Sequence, residues 1–307
     1  MQRLTIDAPA KINLSLDVVG RRDDGYHLLS TVMQSLDLSD TLWLAVCPDT
    51  GSLTLTCDSS EIPTDRRNTA YRAAEQFLQA AFSADECQPG LQIHIQKRIP
   101  AAAGLAGGSA DAAGVLCGLS RLFPGRLTRR RLFELAAEIG ADVPFCLQGG
   151  TVLCEGIGEQ LTLLPAWTGL SVLLCKPRLG LSTAAVFSRL KLDQLGRRPE
   201  QDRVLEAVGK KDLGLLADAT ANVLEAVSTT FMPELAATRS FLAASGAQAV
   251  LMSGSGPTVF GLFDRPDQCE KAAWQLDGCL PSGTSLWIAR TTAEGPRLTS
   301  INREQIQ

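Results

Sequence analysis

Ile99-Pro100-Ala101-Ala102-Ala103-Gly104-Leu105-Ala106-Gly107-Gly108-Ser109-Ala110 is a run of twelve uncharged residues between two strongly patterned segments. Upstream, residues 91–99 (Leu-Gln-Ile-His-Ile-Gln-Lys-Arg-Ile) alternate apolar and polar side chains, as a half-buried strand does. Downstream, Ala112, Val115, Leu116, Leu119 and Leu122 recur at helical spacing. Gly104, Gly107 and Gly108 remove side chains that would keep a ligand from the backbone N–H groups. A helix starting near Ser109 aims its free N–H groups and positive dipole end back into the loop. Two readings are open: a phosphate cradle, or a connector that turns a corner.

A chain of 307 residues is long enough for two domains, at roughly 150 residues each. A break in pattern around 165–169 predicts a first domain over 1–165 and a second over 166–307. The net charge of −4 supplies no basic field to recruit nucleic acid, so any phosphate ligand must be held by local groups. Nine cysteines fall without metal-like or disulfide-like pairing, which predicts reduced core thiols in a cytoplasmic protein. The N-terminus carries no signal-peptide pattern. The uncharged stretch 240–263 is interrupted by Gly246, Gly254, Gly256, Pro257 and Gly261, which argues against a membrane helix. The expected partner is a small molecule, with neither nucleic acid nor membrane.

Extended segments are expected at 4–16, 40–46, 52–57 and 91–99, with a helix over 70–81 capped by Asn68. A second helix after the loop should start at a Thr128 cap and stop at Gly140. In the second half, strands are expected at 170–176 and 285–290, with strand–loop–strand over 249–263. Helices are expected at 182–190, 203–208, 213–217, 233–245 and 266–276, and the residues from 294 onward read as a polar tail.

Four constellations carry chemistry. In Ala8-Pro-Ala-Lys-Ile-Asn-Leu-Ser-Leu16, strand alternation puts Lys11 and Asn13 on one face among apolar neighbours. Such a lysine is placed to meet an anion, or to guard an edge strand. Asp24-Gly25 makes a turn that presents Tyr26 and His27 side by side, able to stack on a planar heterocycle or to be satisfied within a hairpin. His94 reads as a surface strand residue. In Gly140-Ala-Asp-Val-Pro-Phe145, Asp142 is placed either to cap the next helix or to act as a general base on a hydroxyl. A second Gly/Ser loop, Ser253-Gly-Ser-Gly-Pro-Thr258, is placed to pack its backbone against a ligand or the first loop, or to be an ordinary hairpin. A P-loop signature is absent, as is a dinucleotide-binding fingerprint.

Taken in this order and spacing, the motifs resemble those of the GHMP kinases. That family has an N-terminal motif, a Pro-x-x-x-Gly-Leu-x-[Ser/Gly]-Ser-[Ala/Ser] phosphate loop and a C-terminal Gly-rich loop. The resemblance spans roughly residues 8–258. It implies an α+β fold in which an ATP-binding domain similar to domain 2 of ribosomal protein S5 precedes a ferredoxin-like domain. It also implies ATP and Mg2+ as cofactors and an alcohol hydroxyl as acceptor. The Tyr-His pair and the Gly-Gly-Ser loop ending resemble the branch acting on cytidine diphosphate methylerythritol, at its 2-hydroxyl, in non-mevalonate isoprenoid synthesis.

By position, Lys11 and Asp142 match the family's catalytic pair, and 100–110 its ATP phosphate loop. Tyr26 and His27 match the cytidine-recognising residues, with Phe187 on the base's opposite face. Asn13 and Thr183 match substrate contacts, Asn68 and Lys97 the nucleoside side of ATP, and Ser109 a Mg2+ contact. Gly108 departs from the pattern, since the family often has serine there.

Overall fold

The computed structural model describes residues 2–47, 51–83 and 85–303. Two long antiparallel strands, β1 (Gln2–Arg21) and β2 (His27–Cys47), form the spine of a seven-stranded sheet. β3 (Leu53–Cys57) lies at the edge, and after α1 (Thr69–Ala81) the chain enters β4 (Gly90–Gln96), parallel to β3 and antiparallel to β2. The helices α2 (Gly107–Leu122), α3 (Arg129–Ile139) and α4 (Val143–Gln148) follow. β5 (Thr151–Gly156) then pairs with the first half of β2, and β6 (Gln160–Leu163) pairs with β5.

Local chemistry accounts for these helices. The Asn68 side chain accepts from Ala70 N at 2.8 Å and caps α1, whose Ala70, Ala74, Phe77, Leu78 and Ala81 stripe is buried. Thr128 caps α3 and Gly140 ends it, as the spacing predicts. α2 starts two residues earlier than expected, at Gly107, from an Ala106 in left-handed conformation.

The second half builds a separate antiparallel sheet. β7 (Ser171–Lys176) leads to the helices α5 (Thr183–Arg189), α6 (Gln201–Lys210), α7 (Leu213–Ala219), α8 (Glu225–Phe231) and α9 (Glu234–Ala244). β8 (Ala249–Met252), β9 (Val259–Phe263), α10 (Pro266–Leu276) and β10 (Ser285–Arg290) follow. The strand order β10-β7-β9-β8 is the ferredoxin-like arrangement that the resemblance implies.

Three features depart from the sequence reading. β2 begins at His27, not near residue 40, because its first half is covered on both faces and shows no alternation. α8 was not expected: its short run of Val and Thr carries no helical stripe. The supposed polar tail forms β11 (Arg297–Arg303), which pairs antiparallel with β1 and protects the edge of the first sheet.

The two halves join along β1. Leu16 N donates to Ala221 O and Val223 N to Leu16 O, both at 3.0 Å, and the Thr220 hydroxyl donates to Leu14 O. The strand that carries Lys11 therefore touches both units.

Candidate active site

A cleft of about 1000 Å3 opens where β1, the loop before α2, the start of α5 and the loop between β8 and β9 converge. Lys11 and Asn13 lie between two register shifts of the β1–β2 pair, after Pro9 and after Asn13. Such bulges re-aim side chains and recur next to active sites. Lys11 is 3% exposed and its backbone N–H donates to Leu105 O of the glycine loop at 3.2 Å, so the strand is covered there and the edge-guard reading fails. Its Nζ donates to Asn13 Oδ1 at 2.7 Å, Asn13 Nδ2 donates to Thr31 Oγ1 at 2.8 Å, and Thr31 Oγ1 donates to Ser15 O at 2.6 Å. This relay holds the ammonium in a single place.

Asp142 Oδ2 lies 3.5 Å from Lys11 Nζ, with 31% of the side chain exposed to the cleft. Asp142 occupies the cap position of α4, yet its backbone is helical and its side chain makes no capping hydrogen bond. The carboxylate is thus left for the cleft and the lysine.

The loop 100–110 wraps the opposite wall. Ala102 and Ala106 adopt positive φ of 48° and 57°, at a cost of roughly 1–2 kcal/mol each. Strain of this kind collects where backbone must be aimed at a ligand. Ala110 N donates to Ala106 O, and the loop amides before it have no hydrogen-bond partner among the described residues, which leaves them for an anion. Leu105 and Ala110 are 1% and 0% exposed and turn into the core, while the other loop residues line the cleft. Thr69 Oγ1 donates to Gly108 O at 2.6 Å, and a Cβ on Gly108 would lie 3.0 Å from that hydroxyl. The Thr69 hydroxyl therefore crowds the site of a side chain at 108.

The second Gly/Ser loop interlocks with the first. Ser253 Oγ donates to Gly104 O at 2.9 Å and Thr258 N to Ala103 O at 3.3 Å. A Cβ on Gly104 would overlap the Ser253 carbonyl oxygen. The hydroxyls of Thr183 and Ser255 lie 2.8 Å apart, so the start of α5 is tied to the same loop.

At the far end, the turn before β2 presents Tyr26, 62% exposed. The His27 ring lies 5.2 Å from the Phe187 ring at 36°, spanning the two halves. Burial, and then the charge of Arg21, hold His27 below its usual pKa, so the imidazole is neutral near pH 7.

Beneath the loop, Lys97 Nζ donates to Asp40 Oδ2 and, at 2.8 Å, to Asp111 Oδ2. Burial opposes the Lys97 charge, but the two carboxylates outweigh it and raise its pKa. Burial, only partly offset by Lys97 and reinforced by Asp40, pushes Asp111 up to about 8. The buried Oδ1 of Asp111 has no partner among the described residues.

Asn68 lines the cleft, but its amide is committed to the α1 cap and to Pro63 O at 2.7 Å. Sequence reasoning did not anticipate Thr31, Thr69, Asp40 or the position of Asp111. They come from three separate elements, β2, α1 and α2, and only the fold brings them together.

A cleft between these two sheets, floored by a lysine–aspartate pair and walled by two Gly-rich loops, defines a GHMP-type kinase. The family models for GHMP kinases, N terminal domain and C terminal, match residues 68–150 and 204–277. The 4-diphosphocytidyl-2-C-methyl-D-erythritol kinase of Brevibacillus brevis is 44% identical over 263 residues, 86% of this chain and 88% of the relative. A crystal structure of 4-(cytidine 5'-diphospho)-2C-methyl-D-erythritol kinase superposes with a TM-score of 0.77 at 36% identity, covering 95% of this chain and 99% of that one. Homoserine kinase from Cytophaga hutchinsonii shares the fold, with a TM-score of 0.77 at 18% identity over 96% of this chain and 97% of that one. The chain belongs to the 4-diphosphocytidyl-2-C-methyl-D-erythritol kinase family of the GHMP kinases.

Proposed function

We propose that the protein transfers the γ-phosphoryl group of ATP to the 2-hydroxyl of 4-diphosphocytidyl-2-C-methyl-D-erythritol, giving the 2-phosphate and ADP. The observation that carries this reading is the Lys11–Asp142 pair, 3.5 Å apart at the floor of a cleft with an aromatic wall and an amide-lined loop. Phosphoryl transfer needs positioning and charge neutralisation, and little covalent work by the protein. Asp142 takes the proton of the attacking hydroxyl, and Lys11 holds the attacking oxygen and neutralises charge on the transferring group.

The amides of 101–109 receive the ATP phosphates, with the N-terminus of α2 behind them. Tyr26, His27 and Phe187 take the cytosine, and Asn13 and Thr183 the methylerythritol unit. Lys97, fixed by two carboxylates, faces the nucleoside end of ATP. Among the described residues no three His, Cys, Asp or Glu gather around one point. The Ser109 hydroxyl with phosphate oxygens and water fits Mg2+, which dehydrates reluctantly and is bound largely through substrate phosphates. Bound there, the ion supplies charge neutralisation on the β- and γ-phosphates.

Among the described residues no helix is long and apolar enough to cross a membrane. The nine cysteines are unpaired, which supports a reducing, cytoplasmic setting. ADP release with Mg-ATP tests the reading: turnover is expected with the cytidine substrate and at background with homoserine or mevalonate. Equal turnover on an alcohol without cytidine would overturn the substrate assignment.

A further inference from the structure

Behind the second Gly-rich loop sits a buried amide that the reaction as described leaves without a role. Asn222 is 6% exposed. Its Nδ2 donates to Met252 O at 2.7 Å and to Gly254 O at 2.8 Å, while its Oδ1 accepts from Leu224 N at 2.9 Å. Its backbone is pinned by the Leu16 bonds that dock this segment on β1. Asn222 does not line the cleft; it borders a separate hollow of about 560 Å3. Gly254 and Ser255 do line the cleft.

The Gly254 carbonyl is therefore drawn away from the cleft, and across a trans peptide the N–H of Ser255 points the opposite way. The next carbonyl, that of Ser255, is drawn back as well, accepting from Ser228 Oγ at 3.0 Å. The Ser255 N–H has no partner among the described residues. The place is next to the reacting centre, since a Cβ on Gly254 would lie 3.3 Å from Lys11 Nζ and 3.7 Å from Asn13 Oδ1.

The geometry points to Asn222 as a positioning residue that turns the Ser255 N–H toward an anionic phosphoryl oxygen held beside Lys11. It acts through the Gly254–Ser255 peptide and touches no ligand itself. The inference rests on the kinase reading above.

Asn222→Asp keeps the shape but sets a carboxylate oxygen against two carbonyl oxygens. In this variant kcat should fall about 100-fold, the scale for losing one preorganised donor. Affinity for an unreactive ATP analogue, measured by calorimetry, should stay within about threefold, because the first loop and α2 are untouched. The kcat ratio of variant to parent should rise as pH falls and the carboxyl regains a donating proton. A ratio near one, or a loss of kcat matched by an equal loss of analogue affinity, would overturn the proposal.

If the variant does not fold, the parent protein labelled with nitrogen-15 decides. The Ser255 amide proton should shift downfield on saturation with the analogue and the cytidine substrate, and an unmoved resonance overturns the proposal. A parent that releases no ADP with that substrate would instead sink the kinase reading, and the resonance would still report on the amide.

Discussion

Gly104→Ala strikes the point where the two glycine loops interlock. Gly104 has φ +75°, and an added Cβ would overlap the Ser253 carbonyl oxygen and lie 3.0 Å from that of Gly256. An alanine there costs roughly 1–2 kcal/mol for the left-handed backbone and a further ~1–3 kcal/mol for the crowding. The obstructing atoms belong to backbone, so no rotamer change relieves them. One loop must retreat by about 1 Å, a misplacement that can cost about 100-fold in rate. The thermal midpoint should fall by roughly 5–15 °C. At 20 °C, where the variant remains folded, ADP release should show kcat down about 100-fold. Gly209→Ala is the control: in α6, with nothing within 4 Å of the new Cβ, it should stabilise by ~0.4–1 kcal/mol and leave turnover alone. A Gly104→Ala protein with an unchanged midpoint and kcat within threefold of the parent would refute the interlock.

Asp142→Asn should lower kcat by roughly 100- to 10,000-fold while binding of an ATP analogue persists, as turnover and calorimetry would show. Tyr26→Ala removes a side chain that is 62% exposed, so it should spare the thermal midpoint and weaken binding of the cytidine substrate about tenfold, the worth of one stacked base. Burial pushes the Asp111 carboxyl up to about 8 in the folded protein, whereas in the unfolded chain it sits near 4. Its contribution to stability is therefore complete below about pH 4 and is lost as pH rises toward 8. Urea unfolding from pH 5 to 8 should show stability falling with pH in the parent and a flatter profile in Asp111→Asn.

Much of the site was legible because its signals are local. Asn68, Thr128 and Gly140 announce helix ends through side-chain and backbone chemistry within four residues. Alternation alone set Lys11 beside Asn13, and the Gly/Ser composition marked both loops. For Asp142 the sequence left two roles open, and only the helical backbone at 142, with no capping bond, removed one of them. The Lys97–Asp40–Asp111 cluster was illegible, since its members lie 57 and 14 residues apart and nothing local distinguishes a paired buried carboxylate from a solvated one. The first half of β2 was hidden for the opposite reason: burial on both faces erases the period that identifies a strand. β11 was hidden because backbone pairing along an edge needs little from its side chains.

The most direct measurement is the crystal structure of the protein with 4-diphosphocytidyl-2-C-methyl-D-erythritol and an unreactive ATP analogue. The 2-hydroxyl oxygen should lie roughly 2.6–3.2 Å from an Asp142 carboxylate oxygen. The cytosine should lie against His27 and Phe187, and the analogue's phosphates on the loop amides of 101–109. A cytosine bound away from that ring pair, or a 2-hydroxyl beyond reach of Asp142 with the phosphates in place, would contradict this arrangement.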